Sequence, residues 1–252
     1  MEQHDAAAFA RLAREMQAQS EEPLTAATII RLATTSLPDV DHASITIRLR
    51  GGRYRSLGAS AESVEKADAA QHDLKEGPCV EAIDEDDWFL STDLEKDERW
   101  PRWGPFAAEL GFGSLLGLPL VQGKEPAASL NLYADGTGRF TDPEALTQAL
   151  LFATHAATAL ASAHEISGLQ TAVASRHLIG MAQGVLIERH GLTAAQSFSF
   201  LQRLSSTSNV KLRDVAEQVL AGEHSAAARG TTGATGANDD AGDGTPESAP
   251  VG

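Results

Sequence analysis

Residues 175–220 read SRHLIGMAQGVLIERHGLTAAQSFSFLQRLSSTSNVKLRDVAEQVL. Three helical patterns run through them. The first places Leu178, Met181, Ala182, Val185 and Leu186 at three- and four-residue steps and stops at Gly191. The second opens on Thr193 with Gln196 three residues on, which is the mark of a capping box. Its apolar side is Ala194, Phe198, Leu201 and Leu204. Asn209 is the expected cap of the third, whose apolar face is Leu212, Val215, Ala216 and Val219. Helices this short are not stable singly. They must pack on one another, with the apolar positions, Phe198 included, as scaffold and a polar face outside.

That outer face differs in charge from the rest of the chain. Residues 173–220 carry five Lys or Arg (Arg176, Arg189, Arg203, Lys211, Arg213) against three acids, a net of +2, in a chain of net −15. An acidic surface repels phosphate, so nucleic acid is met only where cations converge. On charge alone, five cations on a small bundle read as ordinary solvated charge.

The residues themselves say more. Ser175-Arg176, IGMAQGVLIER from Ile179 to Arg189, Leu192-Thr193 leading to Ser197-Phe198 and Leu201, and NVKLRDVAEQVL from Asn209 to Leu220 resemble the ANTAR domain. This is a three-helix RNA-binding antiterminator module. The resemblance implies binding to paired RNA hairpins, which keeps a terminator from forming. It makes Arg176, Gln183, Arg189, Arg203, Lys211 and Arg213 the candidate RNA contacts. The family often has lysine where Gln183 stands and methionine where Ile187 stands. Glutamine carries no charge, so one phosphate contact is missing here.

The 252 residues suit one or two domains. A single cysteine, Cys79, excludes an internal disulfide and fits a reducing cytoplasm. No apolar run approaches bilayer length, and the start MEQHDAAAFARLAREM lacks the apolar core of a signal peptide. A soluble cytoplasmic protein is expected.

Working back from the amino end, residues 5–19 form an Ala-rich helix, either a dimer arm or a simple leader. Pro23 begins a second helix, with Thr25 as cap and Ile29, Ile30, Leu32 and Ala33 buried. Residues 43–49 (ASITIRL) alternate as a half-buried strand. Gly51-Gly52 turns the chain into a partner strand at residues 54–57. Residues 61–74 are an amphipathic, polar helix. Gly77-Pro78 breaks it, and Cys79 to Ile83 starts a helical turn. The acidic run from Asp84 to Asp87 reads as a solvated turn, and no metal site is expected there. A strand follows at 88–91, and ERWPRW at 98–103 reads as a helix start. Residues 112–121 form an apolar strand beside 127–134, and Thr141, Asp142 and Pro143 open a long helix. This order argues an α+β domain: a mainly antiparallel sheet with helices on one side.

Here Glu76-Gly77-Pro78-Cys79, Glu98-Arg99-Trp100-Pro101, Gly117-Leu118-Pro119-Leu120, and Leu130-Asn131-Leu132-Tyr133 with Phe140-Thr141 resemble a GAF domain. The type is the one joined to ANTAR in actinobacterial regulators. The family's pocket usually lies between the sheet and residues 61–103, so Cys79, Trp88 and Trp100 are candidate pocket residues. Cys79 reads either as a ligand or redox contact or as a plain buried thiol, and Trp100 and Trp103 as pocket or core.

Residues 142–190 are one nearly uninterrupted helix. Ala149, Phe152, Ala156, Ala159, Ala163 and Ile166 keep the seam, Gln170 breaks it and Val173 resumes it. The first part is expected on the sheet and the later part against a second chain. The expected domains are a helical leader (1–22), a GAF sensor (23–167), an ANTAR domain (168–221) and a disordered acidic tail (222–252). The eight histidines form no metal-ligand spacing, and no P-loop or nucleophile elbow is present. Neither an enzyme nor a cofactor is expected. The expectation is an antitermination regulator: a dimer binding RNA hairpins, with a small molecule or protein signalling at the sensor. A DNA-binding regulator and a protein-interaction module remain open at this stage.

Overall fold

The computed structural model describes residues 3–120 and 128–230. Two compact units divide the chain, residues 1–170 and residues 171–252.

The first unit opens with α1 (Gln3–Met16) and α2 (Glu22–Ser36), followed by the hairpin β1 (His42–Leu49) and β2 (Arg53–Ala59). Then come α3 (Glu62–Leu74), α4 (Pro78–Glu85), β3 (Phe89–Ser91), a 3-10 turn at Leu94–Lys96, and α5 (Trp103–Glu109). Strands β4 (Ser114–Leu120) and β5 (Ala128–Ala134) close the sheet before the helix α6 (Pro143–His190). The sheet order is β2-β1-β5-β4-β3, antiparallel throughout. Gly51 and Gly52 take φ +87° and +72°, a left-handed turn that glycine adopts without steric cost. It returns β2 along β1, pairing Leu49 with Arg53.

Both faces of this sheet are covered, which corrects the expectation of helices on one side only. Ala43, Ile45, Ile47, Leu116, Leu118, Leu130 and Leu132 join Ile29, Ile30, Ala149, Phe152 and Ala156 in one core, under α2 and α6. Val64, Ala67, Trp100, Trp103, Leu115 and Tyr133 form a second core under α3 and α5. The half-buried reading of β1 fails for the same reason. Its polar residues Ser44 and Thr46 are fully buried, because α3 lies where solvent was expected. A close approach at Gly117 lets α4 lie on the sheet: a Cβ there would meet the Pro78 carbonyl oxygen at 2.8 Å.

The amino-terminal helix packs on the first unit's core. Met16 is buried in the first core, and Phe9 and Leu12 pack against it. Thr25 does not cap α2 but lies buried in its first turn, its hydroxyl donating to the Glu21 carbonyl at 3.1 Å. α5 starts at Trp103, so ERWPRW is mostly turn before helix. Asp142 caps α6 by accepting the Glu144 N–H at 3.1 Å. The continuation of the β4 strand to Val121 falls outside the described residues.

The second unit packs the end of α6, α7 (Ala194–Ser208) and α8 (Leu212–Gly230). Gly191, at φ +62°, ends α6. The Thr193 hydroxyl accepts the Gln196 N–H and the Gln196 side chain accepts the Thr193 N–H, completing the capping box. The small core is Ala182, Leu186, Leu201, Val215 and Ala216, with Ile179, Leu192, Leu212 and Val219 against it. Two expectations are corrected. Asn209 does not open α8; it closes α7 in the left-handed conformation at φ 54°. And α7 buries Ser197 and Leu201, leaving Phe198 and Leu204 exposed. α8 also continues to Gly230, beyond the residue 222 at which composition places the tail. From residue 231 the expected tail lies outside the described residues. Among the described residues, no helix is long and apolar enough to cross a membrane.

Candidate sensor core and nucleic-acid interface

In the first unit, the face of the sheet under α3 carries a buried polar network. β5 alternates, so Ser129, Asn131 and Tyr133 point to this face while Leu130 and Leu132 point to the other. α3 answers with Asp68 and Gln71, both fully buried on the stripe that also carries Val64 and Ala67. Asp68 accepts the Tyr133 hydroxyl at 2.7 Å and the Ser56 hydroxyl at 3.2 Å. Asn131 donates to Ser44 Oγ at 3.0 Å and accepts from Ser129 Oγ at 2.7 Å. Gln71 donates to the Tyr133 hydroxyl at 3.2 Å and accepts the Cys79 N–H at 2.9 Å. His72, on the same helix, meets Thr46 Oγ1 at 3.3 Å and stacks on Tyr54.

Among the described residues, no cation balances Asp68. Burial raises its pKa to about 6 against the opposing pull of the hydroxyl and amide donors. Burial and the nearby Asp68 carboxylate together push the Cys79 thiol well above the ordinary thiol range, so it is held neutral. Burial also lowers the His72 pKa.

The Glu76-Gly77-Pro78-Cys79 and Glu98-Arg99-Trp100-Pro101 stretches hold the fold of this region together. Glu76 accepts the Arg102 N–H at 2.7 Å and the Trp103 N–H at 2.9 Å, and pairs with the Arg102 guanidinium at 2.8 Å. It thereby satisfies donors at the start of α5 that have no partner within the helix. Gly77 sits at φ +131° with Gln71 so close that an added Cβ would lie 2.3 Å from its Oε1. The Trp100 indole donates to Glu81 at 2.7 Å, and Arg99 lies 4.3 Å over its ring.

The structure separates the three candidate pocket residues. Cys79 and Trp100 are fully buried, Cys79 beside the polar network and Trp100 in the second core. Trp88 is 41% exposed, at a surface groove of about 310 Å³ shared with Asp86, Asp87, Pro119 and Leu150. The acidic run beside it is tied down by Asp84, which takes Arg48 at 3.0 Å and the Tyr54 hydroxyl at 2.8 Å. Asp68 and Gln71 were not singled out from sequence, and Asn131 and Tyr133 entered only through the Leu130-Asn131-Leu132-Tyr133 motif, not as candidate site residues. Asn131 amid the apolar β5 strand was the one available signal.

In the second unit, the candidate RNA contacts fall on three helices and one loop. Arg176, Arg189, Arg203, Lys211 and Arg213 are exposed. Arg213 is paired with Asp214 at 3.3 Å. Gln183 is half-buried, and its amide donates to the Ala194 carbonyl at 3.1 Å, tying α6 to the first turn of α7. Arg176 and Arg189 stand thirteen residues apart on one helix, so they face directions about 140° apart. Arg176 follows Leu169 and Val173 at seven- and three-residue steps, on the stripe that leaves those two 62% and 65% exposed. Arg176 and Arg189 therefore do not share one face of α6.

The model of the GAF domain family matches residues 20–161, and that of the ANTAR domain matches residues 167–220. No match was found among curated proteins. Among solved structures, the chain is similar to the GAF domain of an Acinetobacter phosphoenolpyruvate-protein phosphotransferase. That likeness has 17% identity and a TM-score of 0.51, over 66% of this chain and 97% of that one. The corresponding Coxiella burnetii domain is similar at 16% identity and a TM-score of 0.50, over 64% and 94%. The R. palustris bacteriophytochrome RpBphP3 is similar at 11% identity and a TM-score of 0.54, over 80% of this chain and 47% of that one. At these identities the likeness concerns the fold alone.

Proposed function

We propose a function from the premise that this chain belongs to the GAF domain family and carries an ANTAR domain behind it. Both domains are regulatory modules. The chain is a one-component regulator of transcription termination, without enzymatic activity or cofactor. Its first unit receives a small molecule or a protein signal, with residues 23–167 as the sensor. Its second unit, centred on residues 168–221, binds RNA hairpins. It acts in the cytoplasm as a homodimer, so that two bundles meet two hairpins.

One observation carries the RNA reading. The match to the ANTAR domain falls on a three-helix unit with a small core of Ala182, Leu186, Leu201, Val215 and Ala216 and five exposed cations, in a chain that is otherwise strongly acidic. Arginine and lysine hold phosphates there, and arginine adds bidentate contacts. The exposed stripe Ile166, Leu169 and Val173 supports pairing of α6 with a second copy.

The test is a filter-binding comparison of hairpin RNA and duplex DNA. Arg176→Ala and Arg189→Ala are each expected to weaken RNA binding and to lower the salt slope by about 1, with helicity unchanged. Equal affinity for duplex DNA, or unchanged RNA binding in both variants, overturns the reading. Crosslinking in cells followed by sequencing of bound RNA identifies the transcripts.

A further inference from the structure

Helix α7 exposes an aromatic ring that its own fold does not use. Phe200 is 40% exposed and lies outside the small core of the second unit. It lines an open groove of about 480 Å³ with Leu192, Ala195, Gln196, Ser199 and Arg203. Every one of these falls on one helical stripe or on the residue leading into it, opposite the buried Ser197 and Leu201. The groove is mixed in chemistry. An aromatic face lies between a polar end at Gln196 and Ser199 and a cationic end at Arg203. Arg213 is paired with an acid, whereas Arg203 has no ion-pair partner among the described residues. Gln196 spends its carbonyl oxygen on the Thr193 N–H, which directs its amide hydrogens elsewhere.

We propose that this groove is a base-binding site: Phe200 stacks an unpaired loop base of the bound RNA, while Arg203 holds the adjoining phosphate. The inference rests on the RNA reading above and sharpens it. Phosphate contacts set affinity and register, but they carry no sequence information. Sequence in RNA is read where bases are splayed out and stacked on aromatic or arginine planes. An exposed phenylalanine three residues from an unpaired arginine supplies both halves of that contact. A protein partner would fill the apolar part of the groove but would leave Arg203 without a counter-charge, unless it brought an acid to a chain already at −15.

The experiment uses the full chain and a pool of stem-loop RNAs with randomised loops. RNAs retained by the wild type are cloned, and each loop position is then replaced in turn by an abasic nucleotide. Fluorescence anisotropy measures binding by the wild type, Phe200→Ala, Phe200→Leu and Phe200→Trp. Phe200→Ala is expected to lose roughly five- to hundred-fold in affinity, the range of one base–aromatic stack. Phe200→Leu should lose nearly as much, and Phe200→Trp should retain binding. One abasic position should cost the wild type a similar factor and cost Phe200→Ala nothing further. Wild-type binding that Phe200→Ala leaves intact, or a loss that is the same at every abasic position, overturns the base site while leaving the RNA function standing. If no RNA is retained by the wild type, the function and the base site fall together. Helicity by circular dichroism guards against misfolding, and Phe200→Trp provides a folded variant if Phe200→Ala loses structure.

Discussion

Asp68 shows how one side chain sets the chemistry of the sensor unit. It is fully buried, its oxygens are met by donors from Tyr133, Ser56 and Asn131, and no cation among the described residues accompanies it. With its folded pKa near 6 against an ordinary value of 3.8, the folded state favours the protonated form. The sign follows: the ionised group costs stability fully above about pH 6, and that cost fades as pH falls toward 4. Asp68→Asn keeps the shape and removes the charge. It is expected to raise stability at pH 7.5 by up to about 3 kcal/mol, with the gain shrinking toward pH 4.5. Thermal melts of both proteins across that range check this, and a constant difference would sink it. A second contrast at the same scale separates core from surface on α7. Leu201→Ala removes a fully buried side chain and should cost about 2–5 kcal/mol. Phe198→Ala, 37% exposed, should stay within about 1 kcal/mol, as read from urea midpoints.

Among the elements, the junction of α6 and α7 is where sequence and function meet most closely. Gln183 bonds the Ala194 carbonyl, just inside the capping box at Thr193. A lysine at 183 has the reach to keep that bond while adding a cation. Gln183→Lys is therefore expected to strengthen hairpin binding and steepen its salt dependence by about one phosphate contact. Anisotropy titrations at several salt concentrations test it. Thr193→Ala, by contrast, removes the cap and should lower the stability of the second unit by about 1 kcal/mol. Its RNA affinity should fall only as far as folding does.

For the molecule as a whole, α6 is the element common to both units, running from Pro143 to His190. Its first half is sunk into the first unit's core through Ala149, Phe152, Ala156 and Ala159. Further along, Ile166, Leu169 and Val173 stay 39%, 62% and 65% exposed at three- and four-residue steps. A triple change of these three to serine is expected to convert the proposed dimer to monomer in sedimentation velocity. A wild type that sediments as a monomer at tens of micromolar would exclude the pairing.

Much of this was legible from the residues alone. Apolar periodicity gave the three helices of residues 175–220, and the Thr193–Gln196 spacing gave the cap, because both depend on contacts within four residues along the chain. Strand alternation and the Gly51-Gly52 turn gave the hairpin on the same local basis. Burial of polar groups was not legible. Ser44, Thr46, Asp68 and Gln71 look like solvent-facing positions until α3 is laid across the sheet, and their partners lie as far as 87 residues away. The exposure of Phe198 and Phe200 was hidden for the converse reason. A helix's apolar residues do not say which of two faces meets its neighbours, and in α7 the face that does so carries Ser197 and Leu201. Local periodicity thus determined the elements and their ends, while the choice of face, and with it both candidate sites, was decided by packing between segments distant in the chain.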